Sequence, residues 1–174
     1  MTNSDLVYLS NIKTLILKST DVNDISSLTN VIVLDISSTN VTDISSLCSS
    51  MTLSSLDISN TKVIDVNVLR VLKTLKVLTM NNCRSIVDVK ELGHLHTIHL
   101  RATNIKDITM LSNVHTLDLS YCYMIDDISC LKNVKKLILY GIDKKLIDTS
   151  MLSSTIITYS MSTVQNIEVE GNVD

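Results

Sequence analysis

The sequence predicts an α/β repeat solenoid: an arc of about eight short units, with a parallel β-sheet on its concave face and 3₁₀ turns or short helices on its convex face. Three observations lead there. The stretch LDISSTNVTDISSL at 34–47 returns as LDISNTKVIDVNVL at 56–69. Apolar pairs two residues apart recur at Leu15/Leu17, Leu34/Ile36, Leu56/Ile58, Leu78/Met80, Ile98/Leu100, Leu117/Leu119, Leu137/Leu139 and Ile157/Tyr159, with leading residues 19, 22, 22, 20, 19, 20 and 20 apart. The 174 residues include no Phe, Trp or Pro and only five Tyr, so the 45% hydrophobic content is mostly aliphatic. A core without aromatic bulk has to be assembled from many small equivalent layers.

Each element follows in turn. Residues 1–14 read as an N-terminal half repeat or cap, in which Leu6, Leu9 and Ile12 shield the first layer of an otherwise open stack. From 15 to 167 the units repeat. An apolar, polar, apolar triplet makes a short strand with one face buried. Five residues after each lead comes a residue that lines the inner turn: Thr20, Thr39, Thr61, Cys83, Thr103, Cys122, then Ile142 and Ser162, with Ile142 marking unit seven as irregular. An Asp before Ile or Val follows at Asp24, Asp43, Asp65, Asp88, Asp107 and Asp127, a helix-start signal in which the carboxylate accepts backbone N–H groups just ahead of it. Asp43 and Asp107 are thus expected to cap outer turns rather than to bind anything. A 19–22-residue unit leaves too little chain for a full outer helix, so 3₁₀ turns are expected. Residues 168–174 are a tail, and Ile167 just before it and Val169 within it offer little to cover the last layer.

The pattern L-x-x-L-x-L-x-x-T-x-V-x-D-I-x-x-L, matched by eight consecutive units over about residues 9–167, resembles the leucine-rich repeat, in the short-repeat branch of bacterial internalins and phosphatase-regulating repeat proteins. Two units carry Cys and one extra residue, CRSIVDV at 83–89 and CYMIDDI at 122–128, among units running TNVTDI or TNIKDI. That mixture is similar to leucine-rich-repeat proteins of kinetoplastid parasites. In many proteins of this family an Asn at the inner turn bridges neighbouring repeats. The resemblance therefore implies that hydroxyls and thiols serve here instead.

Composition excludes several classes. The net charge of −3 comes from interspersed signs, with no basic block, so nucleic acid is not an expected partner. No apolar run approaches the ~18 residues that span a bilayer, and MTNSDLVYLSNIK lacks the regions of a signal peptide, so membrane insertion is not expected. Cys83 and Cys122 lie two units apart, about 10 Å at the strand spacing. That is beyond the ~7 Å limit of a disulfide. Cys48 and Cys130 fall on outer turns about four units apart, and no C-x-x-C is present. Free thiols favour a reducing, cytoplasmic setting. Phosphate loops, nucleophile elbows and zinc-protease motifs are absent, and three Gly residues can hardly build a phosphate cradle. No cofactor, metal or enzymatic activity is expected.

The candidate residues are therefore those of a binding surface. Arg101, Tyr121 and Tyr140 fall in consecutive units on or beside the concave face, with Tyr123 on the adjoining loop, and Tyr and Arg are the residue types in which binding energy concentrates. Between them the spacing sets His99 beside Asp118, about 5 Å away on the next strand. His96 and His115 share a column. Asp35 and Asp57, neighbouring carboxylates at the other end of the arc, form an acidic strip suited to a basic partner. The resulting expectation is a non-enzymatic scaffold that binds a protein through its concave face. A regulatory subunit docking a phosphatase or ubiquitin-ligase complex, or a fragment of a surface adhesin or antigen, are the alternatives.

Overall fold

In the computed structural model, the residues described are 3–9, 11–142, 147–152, 154–160 and 163–165; Ser162, Ile167, Val169 and the 168–174 tail lie outside them. Eight three- to five-residue strands, β1 (Thr14–Ile16), β2 (Val33–Asp35), β3 (Ser55–Asp57), β4 (Val77–Thr79), β5 (Thr97–His99), β6 (Thr116–Asp118), β7 (Lys136–Ile138) and β8 (Ile156–Ser160), form one open parallel sheet in chain order. The register aligns Leu15, Leu34, Leu56, Leu78, Ile98, Leu117, Leu137 and Ile157 as one row of direct partners. Each leading residue sits in the middle of its strand. The second apolar residue lies just past the strand, where its N–H still extends the ladder, as from Leu17 to the Asp35 carbonyl at 2.7 Å.

The core is the one the periodicity implies: Leu34, Ile36, Leu56, Ile58, Leu117 and Leu119 are all buried. A further row, Val22, Val41, Val63, Ile86, Ile105 and Ile125, seals the turn that leaves the sheet. The convex side carries short 3₁₀ turns, among them Ser45–Ser49, Asn67–Val71, Lys90–Leu92, Thr109–Leu111 and Ser129–Leu131. Each inserts one Leu inward: Leu47, Leu69, Leu92, Leu111 and Leu131. At these five turns the Asp stands one residue before the N-cap position, held by Ile44 in the turn that Asp43 precedes, and accepts the N–H two residues ahead, at 2.7 Å from Ser45 and 3.0 Å from Thr109. All six predicted Asp residues do this, and Asp148 adds a seventh. These bonds hold the carboxyls of Asp24, Asp43, Asp107, Asp127 and Asp148 below their usual 3.8.

Before the sheet, a single helical turn (Asn3–Leu6) runs into a 3₁₀ turn (Val7–Leu9). Leu6 is fully buried and Leu9 packs partly on the core, whereas Ile12 stays 38% exposed and contributes less cover than expected. At the far end the repeat pattern gives no sign of β9 (Thr163–Gln165), which pairs antiparallel with β8. A returning strand has no place in a period that only ever predicts parallel neighbours.

The inner turns refine the sequence reading. The hydroxyls of Thr20, Thr39, Thr61 and Thr103 donate back to carbonyls three residues earlier in their own units, at 2.6–2.7 Å. Bridging falls to the thiols: Cys83 reaches the Ile58 carbonyl at 3.1 Å and Cys122 the Leu100 carbonyl at 3.0 Å, each in the preceding unit. Both thiols are buried, and that burial pushes them up from their ordinary value, which favours the neutral, packed form.

Candidate functional site

Immediately before each inner-turn residue the backbone must reverse, and it does so through the left-handed region. Ser19, Ser38, Asn60, Asn82, Ala102, Tyr121 and Gly141 all have positive φ. Small or amide side chains tolerate this; a bulky one does not. Tyr121, at φ 59°, is the outlier of the column.

Its surroundings are built to hold it. On the unit before, the Arg101 guanidinium lies over the Tyr121 ring, 4.7 Å from its centroid. On the unit after, Gly141 (φ 71°) leaves room: a Cβ there would fall 2.4 Å from the ring carbons. Tyr123 meets Tyr121 edge-on at 6.3 Å. Past the C-terminal ends of β4, β5 and β6, Arg84, Arg101, Asn104, Tyr121, Tyr123 and Met124 line a groove of about 520 Å³. The Asn104 amide donates to the Arg84 carbonyl at 3.0 Å, tying two of its walls together.

The structure brings some of the candidate residues together and leaves others apart. His99 and Asp118 are direct strand partners, Nδ1 to Oδ2 at 3.7 Å. Burial works to raise the Asp118 carboxyl, but the hydrogen bonds of His99 and Ser120 outweigh it and hold the group below its usual range. Tyr140 joins Tyr121 only through the backbone, Tyr121 N–H donating to its carbonyl at 2.8 Å, and does not line the groove. Asp35 and Asp57 are neighbours at the ends of β2 and β3. Each already accepts a backbone N–H, from Ser37 and Ser59, both at 2.8 Å. The His96 and His115 rings stack at 4.5 Å. Among the described residues no three His, Cys, Asp or Glu side chains are placed to hold a metal, and no helix is long and apolar enough to cross a membrane.

Arg84, Asn104, Met124 and Gly141 were not singled out from the sequence. A signal existed: Arg84, Asn104 and Tyr123 each stand six residues after their lead. Met124 is the extra residue of a Cys-type unit, and Gly141 occupies the left-handed position before Ile142.

A row of three-residue parallel strands, each followed by a left-handed residue, a buried Thr or Cys and an Asp-led 3₁₀ turn, leaves one architecture. This is the leucine-rich-repeat fold. Internalin C2 of Listeria monocytogenes matches it with a TM-score of 0.64 at 23% identity, over 86% of this chain and 81% of that one. Internalin F of the same organism matches with a TM-score of 0.52 at 19% identity, over 95% and 66%. A leucine-rich-repeat protein of Leptospira interrogans gives 0.60 at 17% identity over 89% of this chain, which spans about half (50%) of that protein. No family model and no curated protein matches the sequence. Within the leucine-rich-repeat frame, the Tyr121 column position and the groove beside it are where this chain departs from uniform repetition.

Proposed function

We propose that this chain is a non-enzymatic leucine-rich-repeat scaffold that binds a protein partner through units five to seven, with Arg101 and Tyr121 at the centre and His99, Asp118 and Tyr140 around them. One arrangement supports this reading above all: a Tyr is kept in a backbone conformation that Ser, Asn, Ala and Gly fill elsewhere, and is gripped from both sides by Arg101 and by the space above Gly141. Placing such a residue in the left-handed region costs about 1–2 kcal/mol. The cation–π contact returns roughly 0.5–1 kcal/mol at a surface site. Folding alone gains little from Tyr here, whereas a rigid aromatic with a stacked guanidinium is the usual make-up of a binding hot spot.

Asp35 and Asp57 serve as a second, weaker contact at the other end of the sheet. Their adjacent carboxylates attract a basic surface mainly through salt-sensitive association rates.

The test is affinity capture from source cells with mass spectrometry, followed by titration of the captured partner. Tyr121→Asn should weaken binding by more than about 1 kcal/mol. It should leave stability within about 1 kcal/mol, since relieved strain offsets the lost ring contact. Asp35→Asn with Asp57→Asn should matter chiefly at low salt. If Tyr121→Asn and Tyr140→Ala both bind like the parent, the patch is ordinary surface.

A further inference from the structure

We infer that the groove beside Tyr121 takes an acidic segment of the partner, an extended stretch in which carboxylates meet Arg84 and Arg101 while apolar side chains lie on Tyr123 and Met124. This rests on the binding reading above and names the chemistry of the segment bound.

Charge complementarity selects this occupant. The groove lining holds two guanidiniums and no carboxylate. Among the described residues neither Arg84 nor Arg101 is paired with an acid, although the chain has 18 acidic residues and a net charge of −3. Of the acids on the neighbouring segments, Asp118 is committed to His99 and Ser120, and Asp107 and Asp127 to their turns, while Asp126 is exposed and does not line the groove. The Arg101 contact with Tyr121 uses the flat face of the guanidinium. Its in-plane N–H groups remain available to fork a carboxylate. Tyr123 and Met124 are exposed, at 72% and 53%, and give the same groove an apolar wall. A volume near 520 Å³ suits a short segment rather than a domain surface.

The surroundings also limit what else binds there. A long polyanion such as a nucleic acid, continuing past the groove, would meet the exposed carboxylates of Asp107, Asp126 and Asp127 on the adjoining turns. A short acidic segment that ends within the groove meets two arginines and no carboxylate in its lining.

The experiment uses the full chain and two fluorescein-labelled hexapeptides, acetyl-(Asp-Leu)₃-amide and its uncharged counterpart acetyl-(Asn-Leu)₃-amide, titrated by fluorescence anisotropy at low salt. The acidic peptide should bind at least about tenfold more tightly than the amide form. Arg84→Gln and Arg101→Gln should each lower its affinity about fivefold or more, while Lys136→Gln, exposed in β7 away from the groove, should not. Circular dichroism melts of Arg84→Gln and Lys136→Gln should match the parent, and Arg101→Gln, which loses its stack on Tyr121, should remain folded with only a small drop in melting temperature. Equal binding of both peptides, no binding up to millimolar concentration, or indifference to both arginine changes would each overturn the inference. So would a single-stranded oligonucleotide of equal charge that displaces the acidic peptide at lower concentration. Should Tyr121→Asn abolish partner capture while the acidic peptide fails to bind, the hot spot stands and only the acidic occupant is wrong.

Discussion

Units two and three and units five and six are built on the same frame but spend their polar side chains differently. In the front pair, the polar groups close the frame on itself. Asp35 and Asp57 each hold the backbone N–H two residues on, a bond that Asp118 repeats in the rear pair. One unit further along, the Asn82 amide donates to Asn60 across the left-handed column at 2.8 Å. In the rear pair the same column carries Ala102 and then Tyr121, with an arginine stacked on the ring and a groove alongside. The layers beneath are equivalent in both, with Leu56 and Leu117 each fully buried. The contrast teaches that the solenoid core tolerates local variety because each layer is sealed by its own aliphatic side chains. Surface columns can then be used either for closure or for contact.

The largest effect tests that equivalence. Leu56→Ala and Leu117→Ala should each cost about 2–5 kcal/mol by cavity formation, with similar values front and rear in chemical denaturation. A difference larger than the spread between replicate front-half positions would mean that the layers are not interchangeable.

Next comes Gly141→Ala, which sharpens the rear-half account. It combines a left-handed backbone with a Cβ 2.4 Å from the Tyr121 ring, and should destabilise by roughly 1–3 kcal/mol. Adding Tyr121→Ala should recover part of that loss, because the clash then has no partner. Strict additivity of the two changes would show that the ring is not seated against Gly141.

In the front half, Asp57→Ala leaves the Ser59 N–H without its acceptor and should cost about 0.5–2 kcal/mol. The smallest effect per residue belongs to the convex turns and should not distinguish the halves. Their capping carboxyls titrate below 3.8 in the folded chain. Their contribution is therefore complete above the unfolded value and is lost as pH falls through the lowered folded values. Stability should drop below about pH 4. Asp43→Asn and Asp127→Asn should each flatten that acid limb by the same small amount, read from melting temperature against pH.

The period, the strand register, the buried rows and the Asp-led turns were legible in the amino-acid order alone. All of these depend on residues within a few positions of one another in each unit, and the pattern repeats them, the apolar pair eight times and the Asp six. It also set His99 beside Asp118 and His96 over His115, since a fixed period puts equal positions on neighbouring rungs. It took the folded chain to show that at the inner turns the thiols of Cys83 and Cys122 reach carbonyls of the preceding unit while the threonine hydroxyls bond within their own, because donor direction follows from side-chain torsion and not from spacing. The same holds for β9, which reverses the chain where a parallel period cannot predict it. It holds above all for the groove. Arg84, Arg101 and Tyr123 come from three different units, and whether they face one another depends on how the left-handed turn at Tyr121 aims its ring into the space that Gly141 leaves.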